Sequence, residues 1–98
     1  MLQFKWDADK AKKNIKTHSI SFDEASTAFS DTFSLTTYDP LHSDEEDRFV
    51  LIGYSYKNCL LVVVHAERGK IIRIISARKA TKKERKQYEE NAKRSRHA

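Results

Sequence analysis

The sequence predicts an α+β fold, in which a small antiparallel β-sheet packs with two N-terminal helices and a basic C-terminal helix. Two early segments repeat apolar residues at helical spacing, and each follows a residue type that caps helices. Four later segments are rich in strand-forming residues, and a highly charged segment closes the chain. A chain of 98 residues has room for one core, so residues 1–98 are predicted to form a single domain.

The N-terminal region is predicted to contain a short edge strand and two helices. Residues 3–6 alternate, and Asp7 can cap a first helix that runs to about Thr17. Ser21 and Glu24 fit a capping box, in which the Ser21 hydroxyl accepts from the Glu24 amide and the Glu24 side chain reaches back to the cap. The second helix then ends near residues 30–31.

Four strands are predicted after these helices. Residues 33–38, 48–56, 60–66 and 71–77 are rich in strand-forming residues and are separated by turn signals. Residues 39–47 form the loop between the first two of these strands. Five acidic residues and no Lys or Arg lie in that loop, so it is a candidate partner for the basic tail of the same or another subunit.

The last hairpin determines which side chains meet. If Arg68 and Gly69 form a two-residue loop, strand alternation places His65, Ser76 and Arg78 on one face of the sheet. Both faces of this hairpin carry enough aliphatic residues to be mostly buried.

The C-terminal helix is predicted to begin near Thr81, with Glu84 as its capping partner. Between Lys79 and Ala98 there are eight basic residues and three acidic ones. The whole chain carries a formal net charge of +5 and a pI of about 9.4, so it should be drawn to polyanions. The uneven placement of the charge favours nucleic-acid contact over a merely solvated basic face.

Cysteine content and hydropathy indicate a cytoplasmic protein. Cys59 is the one cysteine, so no intrachain disulfide forms, as expected in a reducing compartment. The N-terminus lacks the apolar region of a secretion signal, and the aliphatic run 60–64 is too short to cross a membrane. No membrane partner is expected.

Several short segments, in this order and at this spacing, carry a family resemblance over nearly the whole chain: residues 4–7, 14–18, 21–25, 39–43, 48–49, 73–80, 84–85 and 88–89. With these segments the chain resembles the BrnT family of type II toxins, which have a RelE-like fold. The resemblance implies a metal-independent ribonuclease that slows translation by cleaving mRNA, free or on the ribosome. It also implies a small BrnA-like antitoxin with a DNA-binding domain, so that operator DNA is contacted only through the antitoxin. Oligomers are compatible with this interpretation.

One departure from the family pattern lies at the end of the first helix. The family usually has Lys-His-Gly there, whereas this chain has Thr17, His18 and Ser19. The glycine that normally forms a left-handed helix cap is therefore missing.

Metal-independent RNA cleavage needs a base for the 2′-hydroxyl, an acid for the leaving oxygen and cations for the charged transition state. His65 is the strongest histidine candidate for proton transfer, because it lies on the predicted face of Ser76 and Arg78. The alternative is a core histidine that bonds a backbone carbonyl.

Arg78 and Tyr88 complete the predicted catalytic set. Arg78 can grip a phosphate with two parallel hydrogen bonds, or it can form an ion pair with Glu84 or Glu67. Tyr88 can donate a proton or stack on a base, or it can anchor the last helix to the sheet.

Further side chains are predicted to bind RNA, mainly through its phosphates: Arg68, Arg73, Ser76, Lys79, Lys82, Lys83 and Arg85. No spacing typical of a metal site or of a nucleotide-binding loop is present, so no metal and no cofactor are predicted. The alternative function is a non-catalytic basic module that binds RNA or protein and contributes to a DNA-binding repressor complex.

Overall fold

The computed structural model describes residues 1–42 and 46–97, with side chains described as far as Ser95, so part of the predicted acidic loop lies outside the described residues. The predicted order of strands and helices is confirmed. Within the described ranges, no helix is both long enough and apolar enough to cross a bilayer. The elements are β1 Gln3–Lys5, α1 Ala8–His18, α2 Phe22–Thr27, β2 Leu35–Tyr38, β3 Arg48–Tyr54, β4 Leu60–Arg68, β5 Ile71–Lys79 and α3 Lys82–His97, with short 3-10 turns at Ala28–Ser30 and Pro40–His42.

The strands form one mixed sheet in the order β1-β5-β4-β3-β2. From β2 to β5 each strand is antiparallel to the next, but β1 runs parallel to β5, with Lys5 beside Arg73. The prediction of an antiparallel sheet is therefore wrong at this edge. Alternation in residues 3–6 identifies a strand without identifying its neighbour, and the two helices that follow carry the chain to the opposite edge before β2 begins.

The loop of the β4–β5 hairpin is shifted by one residue from the prediction. Arg68 pairs with Ile71, so the loop consists of Gly69 and Lys70. Gly69 has a φ of 60°, which glycine adopts without a steric penalty and which two-residue hairpin loops require.

A β-bulge in β5 changes which side chains share a face. His65 pairs with Ile74, whereas the residue before His65 pairs with Ser76, so Ile75 is an extra residue in the ladder. One inserted residue reverses the alternation of every residue beyond it. The predicted shared face is therefore wrong, because Ser76 and Arg78 lie on the face opposite His65.

The helices cover the two faces of the sheet unequally. On the α3 face, Tyr88 and Ala92 of α3 pack over Ile52, Leu60 and Val62. The other face, here called the α1/α2 face, lies against the N-terminal helices. Its buried core includes Ile20, Phe22, Ala25, Leu51, Leu61, Val63, Ile72, Ile74 and Ala77.

Asn14 fastens α1 to the sheet. Its side-chain amide accepts from the backbone N–H of Ala77 at 3.1 Å and donates to the Ala77 carbonyl at 2.9 Å. The same amide group donates to the carbonyl of Ile20 at 2.8 Å. Because β1 pairs only with the first residues of β5, the Asn14 amide takes the place of a strand beside Ala77.

The helix caps agree with most of the predictions. Asp7 accepts from the N–H of Lys10, and Ser21 accepts from the N–H of Glu24. The second half of the predicted capping box is replaced by a longer-range contact, since the Glu24 carboxylate is buried and accepts from the Ser55 hydroxyl at 2.7 Å.

Ser19 closes α1 in a left-handed conformation, although it is not glycine. Its φ is 59° and its backbone N–H donates to the Ile15 carbonyl at 2.9 Å. The left-handed cap is therefore present in the chain, formed by a residue for which it is strained.

Candidate nucleic-acid interface

A row of cations crosses the α3 face near the β4–β5 loop. Lys5 of β1 lies beside Arg73 of β5, which lies beside Ala66 of β4. Ala66 in turn lies beside Arg48 of β3. Because Phe4 packs into the core of the α1/α2 face, alternation turns Lys5 and the rest of the row to the α3 face. We call Lys5, Arg73 and Arg48 the cation row.

An open groove of about 700 Å³ adjoins the cation row. Three basic and three acidic residues line it, and two of the acidic side chains are engaged elsewhere, Glu67 with His65 and Asp47 with the Tyr38 hydroxyl. The lining residues are Lys5, Arg68 and Arg73, the apolar Ala66 and Ile71, and Glu46, Asp47 and Glu67.

Glu46 holds two members of the cation row. Its Oε1 atom accepts from Nη2 of Arg73 and lies 4.0 Å from Nε of Arg48. The Arg73 and Glu46 side chains are 39% and 38% exposed, so water and ligands reach this ion pair. The acidic segment before β3 thus contacts the sheet here, at the end away from the start of the basic helix.

Arg78 lies on the same face, at the other end of β5, and forms the predicted ion pair with Glu84. Its Nη1 and Nη2 atoms donate to the two carboxylate oxygens of Glu84 at 2.7 and 2.8 Å, and Nη1 also approaches the Lys79 carbonyl at 3.3 Å. Glu84 completes a capping box with Thr81. The Arg78 hydrogen bond is the main cause that lowers the pKa of Glu84 from 4.5 to about 2, and the same contact raises the pKa of Arg78.

The Arg78 side chain keeps donors for a ligand. A guanidinium group has five N–H donors, of which Glu84 and the Lys79 carbonyl engage three. The side chain is 42% exposed, so the remaining donors can meet a phosphate.

Tyr88 anchors α3 to the sheet, as one of the two interpretations of the sequence has it. It is only 6% exposed, and its hydroxyl donates to the Asp31 carboxylate at 2.7 Å. Asp31 also accepts from the backbone N–H groups of Phe33 and Tyr54, at 2.9 Å each. The Tyr54 ring meets the Tyr88 ring edge-on at 5.2 Å, and its hydroxyl accepts from Arg85 at 3.0 Å.

His65 is a core histidine whose two ring nitrogens both have partners. It has 0% exposure, and its ring lies between Phe29 and Phe49, with centroids at 4.8 and 5.9 Å. Nδ1 lies 3.2 Å from the Val63 carbonyl and Nε2 lies 2.9 Å from the Glu67 carboxylate. This geometry favours the structural alternative and separates His65 from Arg78 by the thickness of the sheet.

The other predicted RNA-binding residues divide among three places. Arg68, Arg73 and Ser76 lie on the α3 face, whereas alternation turns Lys79 to the opposite face. The remaining three, Lys82, Lys83 and Arg85, are exposed on α3.

Lys5, Arg48 and Asp31 belong to this face or support it, although the sequence did not single them out as site residues. Lys5 joins the site only because β1 is parallel to β5, which its three residues do not reveal. Arg48 begins β3, and alternation from the core residue Leu51 would have assigned it to the α3 face. Asp31 follows the helical segment and had no visible partner in the sequence, since Tyr88 is 57 residues away.

Among the side chains of residues 1–42 and 46–95, no set of three His, Cys, Asp or Glu lies close enough together to hold a metal ion. The charged groups gathered on the α3 face are mainly guanidinium and ammonium groups. Such a set can hold phosphate oxygens and stabilise their charge directly.

Comparison with known families identifies the chain. The family described as "Ribonuclease toxin, BrnT, of type II toxin-antitoxin system" matches residues 6–84. The chain belongs to the BrnT family. Its members are ribonuclease toxins of type II toxin-antitoxin systems, and membership therefore implies an RNA substrate and an antitoxin partner.

A solved BrnT structure has the same fold. The crystal structure of the Brucella abortus ribonuclease toxin BrnT aligns with a TM-score of 0.60 at 21% sequence identity, and covers 84% of this chain and 100% of that chain. At this identity the likeness concerns the fold. Among curated protein sequences, none matches this chain.

Proposed function

We propose that this BrnT-family chain is a RelE-like, metal-independent endoribonuclease that slows translation and is neutralised by a BrnA-like antitoxin. The observation that carries the proposal is the collection of cations on one face of the sheet. Arg78 and the N-terminal half of α3 lie at one end of that face, and the cation row lies at the other. At about 3.3 Å per residue, Arg73 and Arg78 are roughly 15 Å apart along β5, a distance that a short stretch of single-stranded RNA spans.

In this proposal the α3 face binds the RNA backbone and Arg78 contacts one phosphate through the donors that Glu84 does not engage. The lysines of α3 add attraction that does not depend on sequence and weakens with salt. A dense set of fixed cations can also stabilise the additional charge of a phosphorane during cleavage. This division of roles needs no metal ion.

The test is cleavage of single-stranded RNA by the purified chain in EDTA. Arg78→Ala is expected to lower kcat/KM by about tenfold or more, because a hydrogen bond between charged groups is lost. Lys12→Ala, on the exposed surface of α1, removes one positive charge elsewhere and serves as the matched control. Equal activity of the two variants would remove Arg78 from the proposed site.

A second candidate function has its own support. His65 is fully buried and the Tyr88 hydroxyl is engaged with Asp31, so neither of these predicted proton-transfer groups is open to a ligand. These features favour a non-catalytic module that binds RNA without cutting it. Salt-sensitive RNA binding by the wild type, without cleavage on free RNA or on ribosomes, would establish this alternative.

The antitoxin is proposed to cover Arg78 and α3, because an acidic or polar partner at this surface would neutralise its charge. Coexpression of the chain with the neighbouring reading frame, followed by hydrogen–deuterium exchange of the purified complex, tests this contact. Protection is expected in α3 and at the C-terminal end of β5. Protection confined to α1 would contradict the proposal.

A further inference from the structure

The geometry points to a second phosphate-binding position: the cation row binds a phosphodiester of RNA, and the chain's own Glu46 occupies this position when RNA is absent. The inference rests on the proposed function in taking RNA as the ligand. It adds a defined binding position and a competing group within the chain.

The first support is the alignment of like charges in one row of the sheet. Lys5 and Arg73 are direct neighbours on adjacent strands, and Arg48 follows two strands further on. Adjacent strands are about 4.8 Å apart, so like charges in this register repel one another unless an anion lies between them. The register of these three cations therefore favours the binding of an anion between them.

The second support is the residue at the centre of the row. Ala66 lies between Arg73 and Arg48 and is 6% exposed. Ala66 is covered by the groups around it, and its side chain is too short to separate the two guanidinium side chains on the neighbouring strands. An oxyanion above Ala66 can therefore be approached from both sides.

The third support is the group that now contacts the row. The carboxylate of Glu46 is a planar oxyanion, and a guanidinium group accepts a carboxylate and a phosphate with the same donor geometry. Glu46 touches Arg73 and lies near Arg48, the two residues that a bridging phosphate would join. The Glu46 carboxylate thus occupies the position in which a phosphate would contact Arg73 and Arg48.

The contact is also one that RNA can displace. Both Glu46 and Arg73 are more than a third exposed, and ion pairs with this exposure are weak. The groove beside them offers Lys5 and Arg68 to the neighbouring phosphates of the same strand. A polyanion that makes several contacts therefore competes well against one carboxylate.

The test measures the binding of a fluorescein-labelled single-stranded RNA by fluorescence polarisation over a range of salt concentrations. Glu46→Gln removes the competing charge while keeping the size of the side chain. It is expected to bind RNA about fivefold more tightly, with a steeper salt dependence by up to about one phosphate contact. Asp9→Asn, on the exposed surface of α1, makes the same change in net charge away from the row and is the matched control.

A double variant separates a local effect from a general electrostatic one. Arg73→Gln should weaken binding, and Glu46→Gln should bring no gain in the Arg73→Gln background, because the position that Glu46 blocks is then incomplete. An equal gain from Glu46→Gln and Asp9→Asn, or a full gain in the Arg73→Gln background, would overturn the inference.

Inorganic phosphate distinguishes this inference from the proposed function as a whole. In the Glu46→Gln variant, phosphate should shift the NMR signals of the Arg73 side-chain N–H groups at lower concentration than in the wild type. A shift of this kind without RNA binding by any variant supports the anion position and contradicts the RNA function. RNA binding that is indifferent to Glu46 and Arg73 supports the RNA function and contradicts the anion position.

Discussion

Asn14 binds both backbone polar groups of Ala77, although 63 residues separate them in the chain. The contact satisfies the edge of β5 where β1 no longer reaches, and it fixes α1 against the sheet. The buried amide thus stabilises the α1/α2 face, whereas most of the charged groups proposed to bind RNA lie on the opposite face.

Asn14→Ala is expected to destabilise the protein by about 2–4 kcal/mol, because the N–H and C=O of Ala77 lose their partner in a buried place. Urea denaturation followed by circular dichroism measures the loss. Asn91→Ala, on the half-buried side of α3, is the control and should cost less than 1 kcal/mol. Equal costs for the two variants would contradict the role assigned to Asn14.

Glu84 should make the stability of the protein depend on pH in the acidic range. Its folded pKa of about 2 is below the ordinary 4.5, so its ionised form stabilises the folded state above pH 4.5. This contribution is lost as the pH falls from 4.5 towards 2. It amounts to about 1 kcal/mol once solvent screening of the exposed Arg78 is allowed for.

The variant that checks this dependence is Glu84→Gln, since glutamine can keep the capping box while losing the charge. The difference in unfolding free energy between wild type and Glu84→Gln should be largest near neutral pH and should vanish near pH 2. Glu89→Gln, exposed on the same helix, should show no such trend. A constant difference across this range would show that the ion pair with Arg78 is not the cause.

Ser19→Gly is expected to stabilise the protein by about 0.5–1 kcal/mol. Glycine avoids the steric cost of a φ of 59°, and this gain exceeds its greater freedom in the unfolded chain. Thermal unfolding measures the effect as a rise in Tm. Asn58→Gly, at a φ of 61°, should gain less, because asparagine tolerates this conformation better than serine.

Tyr88→Phe separates an anchoring role from proton donation. The variant keeps the ring contact with Tyr54 and loses the hydrogen bond to Asp31, so stability should fall by about 1–2 kcal/mol. Any RNA cleavage measured for the wild type should persist at a temperature where both proteins are folded. A loss of kcat of a hundredfold or more with unchanged KM would instead make Tyr88 a proton donor.

Local signals along the chain were enough to predict the secondary structure. Asp7, Ser21 and Thr81 act through atoms within three residues of themselves, so their capping roles follow from sequence spacing. For Arg78 the sequence offered a phosphate contact or an ion pair with Glu84 or Glu67, and the structure shows the ion pair with Glu84.

Longer-range features were predicted less well. The loop of the last hairpin lies one residue later than predicted. The bulge at Ile75 places Ser76 and Arg78 on the opposite face of the sheet from the one predicted. No local pattern in β5 marks this bulge, because Ile74 and Ile75 are both aliphatic and either of them suits a buried face. The predicted grouping of His65 with Arg78 failed for this reason.

The sequence by itself determined the α+β class, the order of the elements, the residues that cap the helix N-termini and the family, since these follow from short-range periodicity and spacing. Only the tertiary structure decided that β1 lies parallel to β5, that His65 is enclosed by Phe29 and Phe49, and that Lys5, Arg73 and Arg48 share a row. The physical reason is that strand neighbours and sheet faces depend on long-range pairing. A change of one residue in that pairing moves a side chain to the opposite side of the sheet.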